Sequence, residues 1–296
     1  MPADPTKVAK RTLFEAERIK AEVFYKRLLK VVMKKIRRLI DTLSPWDDVY
    51  AKLQQFAQSK VFRMLCRKSA RQIVTMLAVG QQRSWRQAAS LSSNGRKIFL
   101  ALQKELKTTS IGNEVQRIID DNAKLIQTVP QNLARQFSRM AGETQYAGKR
   151  PEELVAIFKQ KAPHLTDVEA RRIARTETGK AATALTQARC DKLGISLYRW
   201  YTCHDLRVRD SHEFMDNVIC AWDDPPNPEL LSKAKKSYGN YHPHGIFNCR
   251  CEALPVVSLN DIEFPARVHY HGSIRTINNR QQLFALLGRA AARYAE

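Results

Sequence analysis

Nowhere in this chain do about 18 apolar residues run together, so no segment has the apolar length of a membrane-spanning helix. The opening Met1-Pro2-Ala3-Asp4-Pro5 lacks the charged-then-apolar layout of a secretion signal, and the chain is expected to be soluble and made in a cytoplasm. Cysteine is sparse: six residues, with Cys66, Cys190 and Cys220 far apart, do not make a disulfide framework, and only Cys249 and Cys251 form a local pair. There is no Gly-rich phosphate loop, no Gly-x-Ser-x-Gly and no His-Glu-x-x-His, which removes the commoner signatures of nucleotide, acyl and zinc-protease chemistry. Within residues 51–110 there is no zinc-finger spacing, no aromatic RNA-binding signature and no helix-turn-helix core. Negative charge is scarce as well. Asp and Glu number 29 against 50 Lys and Arg, giving +21 and a pI near 9.9, a field that attracts polyanions, nucleic acid first and an anionic membrane second.

With 296 residues and 44% of them hydrophobic, the chain has enough apolar surface for a core and length for two domains. From Thr12 to Thr42, Phe24, Leu28, Val32, Ile36 and Ile40 recur every fourth position, which predicts an amphipathic helix. Its other face carries Lys20, Lys26, Arg27, Lys30, Lys34, Lys35, Arg37 and Arg38, either a solvated face or one turned to a polyanion or membrane; both readings stay open. Ser44-Pro45 breaks the pattern, which resumes from Val49 to Val79 through Leu53, Phe56, Phe62, Leu65, Ile73 and Leu77.

Residues 51–110 hold about half of the net charge: Lys52, Lys60, Arg63, Arg67, Lys68, Arg71, Arg83, Arg86, Arg96, Lys97, Lys104 and Lys107 stand against Glu105 alone. Contact with DNA here is expected through phosphates, without base choice and with steep salt dependence. Trp85 and Phe99 read as core residues ahead of base-stacking platforms. A loop is expected from Ser90 to Gly95, a helix from Gly112 to Thr128, and another from Pro130 to Met140. Periodicity is lost from Gly142 to Arg150, where a domain boundary is placed.

Beyond it, Pro151 opens a short helix to Lys161, and Thr166-Asp167-Val168-Glu169 is a capping-box pattern starting a second that runs to Leu193 before Gly194. Ile195–Cys203, Val218–Trp222 and Cys251–Val257 read as strands, and Asn279–Tyr294 as a last helix. The expected fold is therefore α+β: a mostly helical basic domain over 1–150, a smaller α+β domain with a short sheet over 151–257, and a tail over 258–296 with a terminal helix.

The most specific stretch runs from Asp205-Leu206-Arg207-Val208-Arg209-Asp210-Ser211-His212 to His242-Pro243-His244-Gly245-Ile246-Phe247-Asn248-Cys249-Arg250-Cys251. Arg175-Thr176-Glu177 on a helix, Asp205-x-Arg207 after a strand, His212, a Pro-rich turn and Asn248-Cys249-Arg250-Cys251 before a strand, in that order, resemble the Mu F-like minor head protein family of tailed bacteriophages. Asn122 to Pro130 resembles the segment that often precedes that domain, so the likeness covers about residues 120–257.

The resemblance implies a minor capsid component of a phage or prophage, acting in head morphogenesis at the portal or head interior of the virion. Its implied partners are portal protein, major capsid or scaffolding protein and packaged double-stranded DNA. An architectural DNA-binding protein packaged with the genome is an alternative. A metal-dependent nuclease using Asp205, His212 and Glu213 is another, less favoured because a His-carboxylate cluster is equally a structural feature.

Many family members carry Cys-x-x-Cys after the Asp-x-Arg, which with the later Cys-x-Cys and a His implies a four-ligand zinc site. Here Arg209 and His212 stand at those two positions, and Arg stays protonated. A structural zinc site is rebuilt on paper from His212, Cys249, Cys251 and one of His242, His244 or Cys203. The favoured alternative is metal-free: small buried cysteines and a His212–Asp205 hydrogen bond. The two cysteines are read as facing opposite ways as they enter the strand, which makes sharing an ion awkward. Arg175 is expected to pair with Asp205, and Glu177 to serve elsewhere. Arg250 is read as pointing away from the cysteines, as a surface contact for DNA or portal.

Overall fold

The structure, a computed structural model, describes residues 5–45, 47–90, 109–143 and 148–288. Five helices come first: α1 Pro5–Asp41, α2 Val49–Gln58, α3 Lys60–Ser90, α4 Thr109–Gly142 and α5 Pro151–Leu193. Then follow β1 Leu197–Tyr201, α6 Asp210–Phe214, β2 Ile219–Ala221, α7 Pro228–Leu231, β3 Glu252–Pro255, β4 Ala266–Tyr270, β5 Ser273–Ile277 and α8 Arg280–Leu287. The fold is α+β with a helical N-terminal region, as the periodicity predicts. The expected loop from Ser90 to Gly95, with Phe99, Arg96, Lys97, Lys104, Lys107 and Glu105, falls almost wholly outside the described residues.

Two pairs of expected helices are single helices. Pro130 lies inside α4 and Pro163 inside α5. A proline removes one helical hydrogen bond, and burial of Ile126, Val129, Leu133 and Ala134 around Pro130 supplies the apolar contact that carries α4 through the gap. In α5 the expected capping box is not used. Thr166 sits mid-helix and its hydroxyl donates back to Ala162 O at 2.8 Å, while Arg37 Nε donates to Thr166 Oγ1 at 2.7 Å. A true break does occur at Ser59, whose Oγ accepts from Phe62 N at 3.3 Å and so caps α3.

The described chain divides into two compact units that interleave along the sequence. One, helical, comprises 20–76 and 116–178; the other, with the sheet, comprises 1–19, 77–115 and 179–296. The break between Gly142 and Arg150 thus falls within the helical unit. That unit is cored by Tyr25, Leu29, Val32, Met33, Ile36, Ile40, Leu53 and Phe62 of α1 to α3 and by Ile126, Leu133 and Phe158 of α4 and α5.

In the sheet unit the strand order is β3-β1-β2-β4-β5. Neighbours are antiparallel except β2 with β4, which pair parallel through Ile219 and Val268. Alternation sorts side chains to two faces. Tyr198, Trp200 and Cys220 join Trp85, Met215, Tyr241, Cys249 and Cys251 on one; Leu197, Ile219 and Ala221 join Val256, Leu259, Val268 and Leu283 on the other. Trp85 is a core residue.

The expected tail contributes two strands. Tyr270 pairs with Ser273 across His271-Gly272, both at positive φ (43° and 75°), the conformation of a two-residue primed hairpin turn. β4 and β5 extend the sheet beyond the residue-257 limit assigned to it.

Candidate functional site

Both ends of the long excursion between β1 and β3 are tied together inside the sheet unit. Asp205 begins the first tie. Its Oδ1 accepts from Arg207 N at 2.9 Å, an Asx-type turn, and its two oxygens take both terminal nitrogens of Arg250, Nη2 at 2.6 Å from Oδ1. Hydrogen bonding from Arg250 holds the Asp205 carboxyl well below the usual carboxylate range. Arg250 is therefore occupied by Asp205 and is not a free surface contact. Arg175, expected at Asp205, has Glu22 Oε1 at 3.7 Å, and Glu177 acts electrostatically on buried Tyr25, both within the helical unit. Tyr25 donates to Asn122, which opens the segment whose likeness was noted.

Arg209 makes a second tie. Its Nη2 donates to Phe247 O at 2.9 Å and its guanidinium lies 5.0 Å over the Phe247 ring. At the start of the excursion, Asp216 accepts from both Thr202 N and Thr202 Oγ1, at 2.8 and 2.9 Å.

A third tie is chemical. His212 on α6, Cys249 and Cys251 are 2%, 3% and 2% exposed, and their ligating atoms all lie within 4.8 Å of one another. His212 Nδ1 is 3.3 Å from Cys251 Sγ and 3.6 Å from Cys249 Sγ. The expectation that the thiols diverge was mistaken: residues i and i+2 entering a strand share a face. The expected His212–Asp205 bond is absent too, because Asp205 faces Arg250 while His212 Nε2 faces Tyr241 Oη at 3.0 Å.

The donors suit zinc. Two thiolates and an imidazole are soft and borderline ligands, and tetrahedral zinc would separate nitrogen and sulfur by about 3.6 Å. Between the two thiols, hydrogen bonding from Cys251 lowers Cys249, while Cys251 is raised by Cys249. None of the fourth ligands considered is part of the cluster. His242 Nδ1 faces Tyr198 Oη at 3.0 Å and burial lowers its pKa to about 4. His244 turns Nδ1 to Cys249 O at 2.9 Å, and among the described residues Cys203 joins no metal-ligating group.

His244 belongs to a neighbouring lock that no local pattern announced. At positive φ (66°), it places Nε2 3.5 Å from Glu252 Oε1, which receives Arg18 Nε of α1 at 2.5 Å. Burial pushes the Glu252 carboxyl up, but Arg18 and then His244 pull it down to about 2. On α5, Gly179 faces the His244 ring, and a Cβ there would sit 2.3 Å from Nδ1. Thr183 Oγ1 donates to Pro243 O at 2.9 Å.

The basic residues named above are placed as follows. Lys60, Arg63, Arg67, Lys68 and Arg71 are exposed on α3 in the helical unit, as is Lys52 on α2. Asp47 pairs with Lys52 at 2.7 Å and Asp120 with Arg67 at 3.0 Å; among the described residues no ion pair forms at Lys60, Arg63, Lys68 or Arg71. In the sheet unit, Arg83 is exposed and Arg86 half-buried. No described helix is long and apolar enough to cross a membrane.

Comparison with known proteins adds the family. The model of the family described as Phage Mu protein F like protein matches residues 101–254, a little over half of the chain. An uncharacterized protein of Haemophilus influenzae is 30% identical over 152 residues, covering 51% of this chain and 31% of that protein. The chain thus spans under a third of that relative's length. No solved structure matches. The matched span, which contains the Asp205 clasp and the His212–Cys249–Cys251 cluster, places the chain in the phage Mu F-like head morphogenesis family.

Proposed function

We propose that the chain is a minor structural component of a phage head, acting without turnover in procapsid assembly at the portal or head interior, and that it touches packaged double-stranded DNA through phosphates. Its protein partners would be the portal and the major capsid or scaffolding protein. The observation that carries the DNA contact is the exposed face of α3. Arg63, Arg67 and Arg71 follow one another at i, i+4 and are exposed, beside the stripe of buried Phe62, Cys66, Ile73 and Leu77. Like charges so spaced repel by a few tenths of a kcal/mol per pair; residues 51–90 contain no Asp or Glu, and Asp120 relieves Arg67 alone of the three. A phosphate backbone supplies the missing counter-charge. With about five phosphates engaged, affinity should fall roughly 500-fold between 50 and 200 mM salt. A flat salt response would refute the DNA contact, and failure to co-elute with portal at low and moderate salt would refute the portal role.

We further propose zinc at His212, Cys249 and Cys251. When bound, it would supply a structural crosslink between the excursion's two ends. Metal analysis of purified protein tests it, and a zinc content unchanged by Cys249→Ser would refute it.

A further inference from the structure

We infer that Tyr241 and Glu229 are positioning residues for His212: they hold hydrogen on its Nε2 and thereby present the Nδ1 lone pair to Cys249 and Cys251. Their purpose as metal-site supports rests on the zinc reading above; the tautomer they impose does not.

The argument is proton counting. A phenol has one hydrogen. Tyr241 Oη lies 2.6 Å from Glu229 Oε1 and donates to it. Glu229 is 3% exposed and has no ion-pair partner among the described residues, so hydrogen bonds must compensate its burial. Ser211 Oγ donates to the same oxygen at 3.2 Å. With its hydrogen committed to a carboxylate, Tyr241 Oη offers His212 only lone pairs. The 3.0 Å contact to Nε2 is then a hydrogen bond in which Nε2–H donates. A neutral imidazole carries one hydrogen, so Nδ1, 3.3 and 3.6 Å from the two thiols, is left with a lone pair. Trp200 stands edge-on to the His212 ring, centroids 5.4 Å apart at 80°, and blocks its rotation.

The supports come from different parts of the excursion. Asn227 Oδ1 accepts from Leu230 N at 3.2 Å and caps the turn carrying Glu229, and Tyr241 N donates to Pro226 O at 2.9 Å. A carboxylate behind the hydrogen-bonding partner of a ligating His fixes ring orientation and raises its basicity, and losing such support weakens metal binding by about 10–100-fold.

The test uses the full chain at pH 8. In metal-free protein, nitrogen-15 spectra of the histidine rings should show His212 Nε2 protonated and Nδ1 bare. Hydrogen on Nδ1, or on both nitrogens, would overturn the inference. In Tyr241→Phe the two tautomers should mix and zinc affinity should drop about 10–100-fold. Glu229→Gln, whose amide lets the phenol turn its hydrogen toward His212, should move the tautomer ratio the same way. Zinc binding by Tyr241→Phe as tight as wild type would also overturn it. Should the wild type take up no zinc, the metal reading fails and the spectra alone decide the tautomer. If Tyr241→Phe does not fold, Glu229→Gln is read by the same spectra, and an unchanged ratio counts against the inference.

Discussion

Gly179→Ala sets two effects of opposite sign against each other, and the structure decides between them. In a helix interior, replacing Gly by Ala ordinarily stabilises by about 1 kcal/mol. At Gly179 the new Cβ would lie 2.3 Å from Nδ1, 2.6 Å from Cγ and 3.0 Å from Cε1 of His244. Ordinary contact begins near 3.4 Å, so the ring must retreat by about 1 Å. His244 is 1% exposed and is held at Nδ1 by Cys249 O and at Nε2 by Glu252, so the retreat breaks a buried hydrogen bond, worth about 1 kcal/mol. Overpacking adds about 1–3 kcal/mol. Destabilisation wins, by about 1–3 kcal/mol, lowering the melting temperature by about 3–8 °C. Gly112→Ala on α4 is the control, because nothing lies within 4 Å of its Cβ position; it should be neutral or stabilising. Thermal melts of both variants check the prediction. A Gly179→Ala protein as stable as Gly112→Ala would refute the close approach of α5 to His244.

Other outcomes follow from the same geometry. Glu252 is depressed to about 2 in the folded chain from an ordinary 4.5, so the stability it contributes is present above pH 4.5 and lost as pH falls toward 2. The whole effect is about 3 kcal/mol, and urea midpoints across that window should flatten in Glu252→Gln. Pro163→Ala should stabilise α5 by about 1–2 kcal/mol, because the exposed proline removes a helical hydrogen bond and little else; a lower urea midpoint would refute this. If zinc binds as proposed, chelation should lower the melting temperature without erasing the far-ultraviolet signal of the fold. The clasp of Asp205 with Arg250 and the tie of Arg209 to Phe247 close the excursion without metal, so wholesale unfolding on chelation would show that they do not suffice.

Repeating patterns carried the architecture. The four-residue recurrence in α1, the β-branched and aromatic run of β1 and the basic face of α3 were legible because each is written within one element. The breaks expected ahead of Pro130 and of Thr166 do not occur, and burial around Pro130 and the Arg37 bond to the Thr166 hydroxyl are tertiary facts that no local pattern announces. The β4–β5 hairpin was missed although its signal was local: His271-Gly272 with alternating residues on either side is a primed turn in which His takes the place that Asn or Asp more often fills.

The site was half legible for a different reason. Cys249, Cys251 and His212 declare themselves by residue type, and strand alternation alone would have placed both thiols on one face. What orients them does not. Tyr241 meets Glu229 across 12 residues and His212 across 29, and Arg250 meets Asp205 across 45; a carboxylate, a phenol and a guanidinium at such separations have no motif. Arg250 illustrates the consequence. Next to two cysteines in a very basic chain it reads as a surface cation, yet the single acidic residue of its clasp accounts for it. Lys60, Arg63, Lys68 and Arg71, which form no ion pair among the described residues, stand on the part of α3 that belongs to the other unit. The charge proposed to meet phosphate and the chemistry that holds the excursion closed therefore occupy separate compact units, and mutating either should leave the other's measurable property intact.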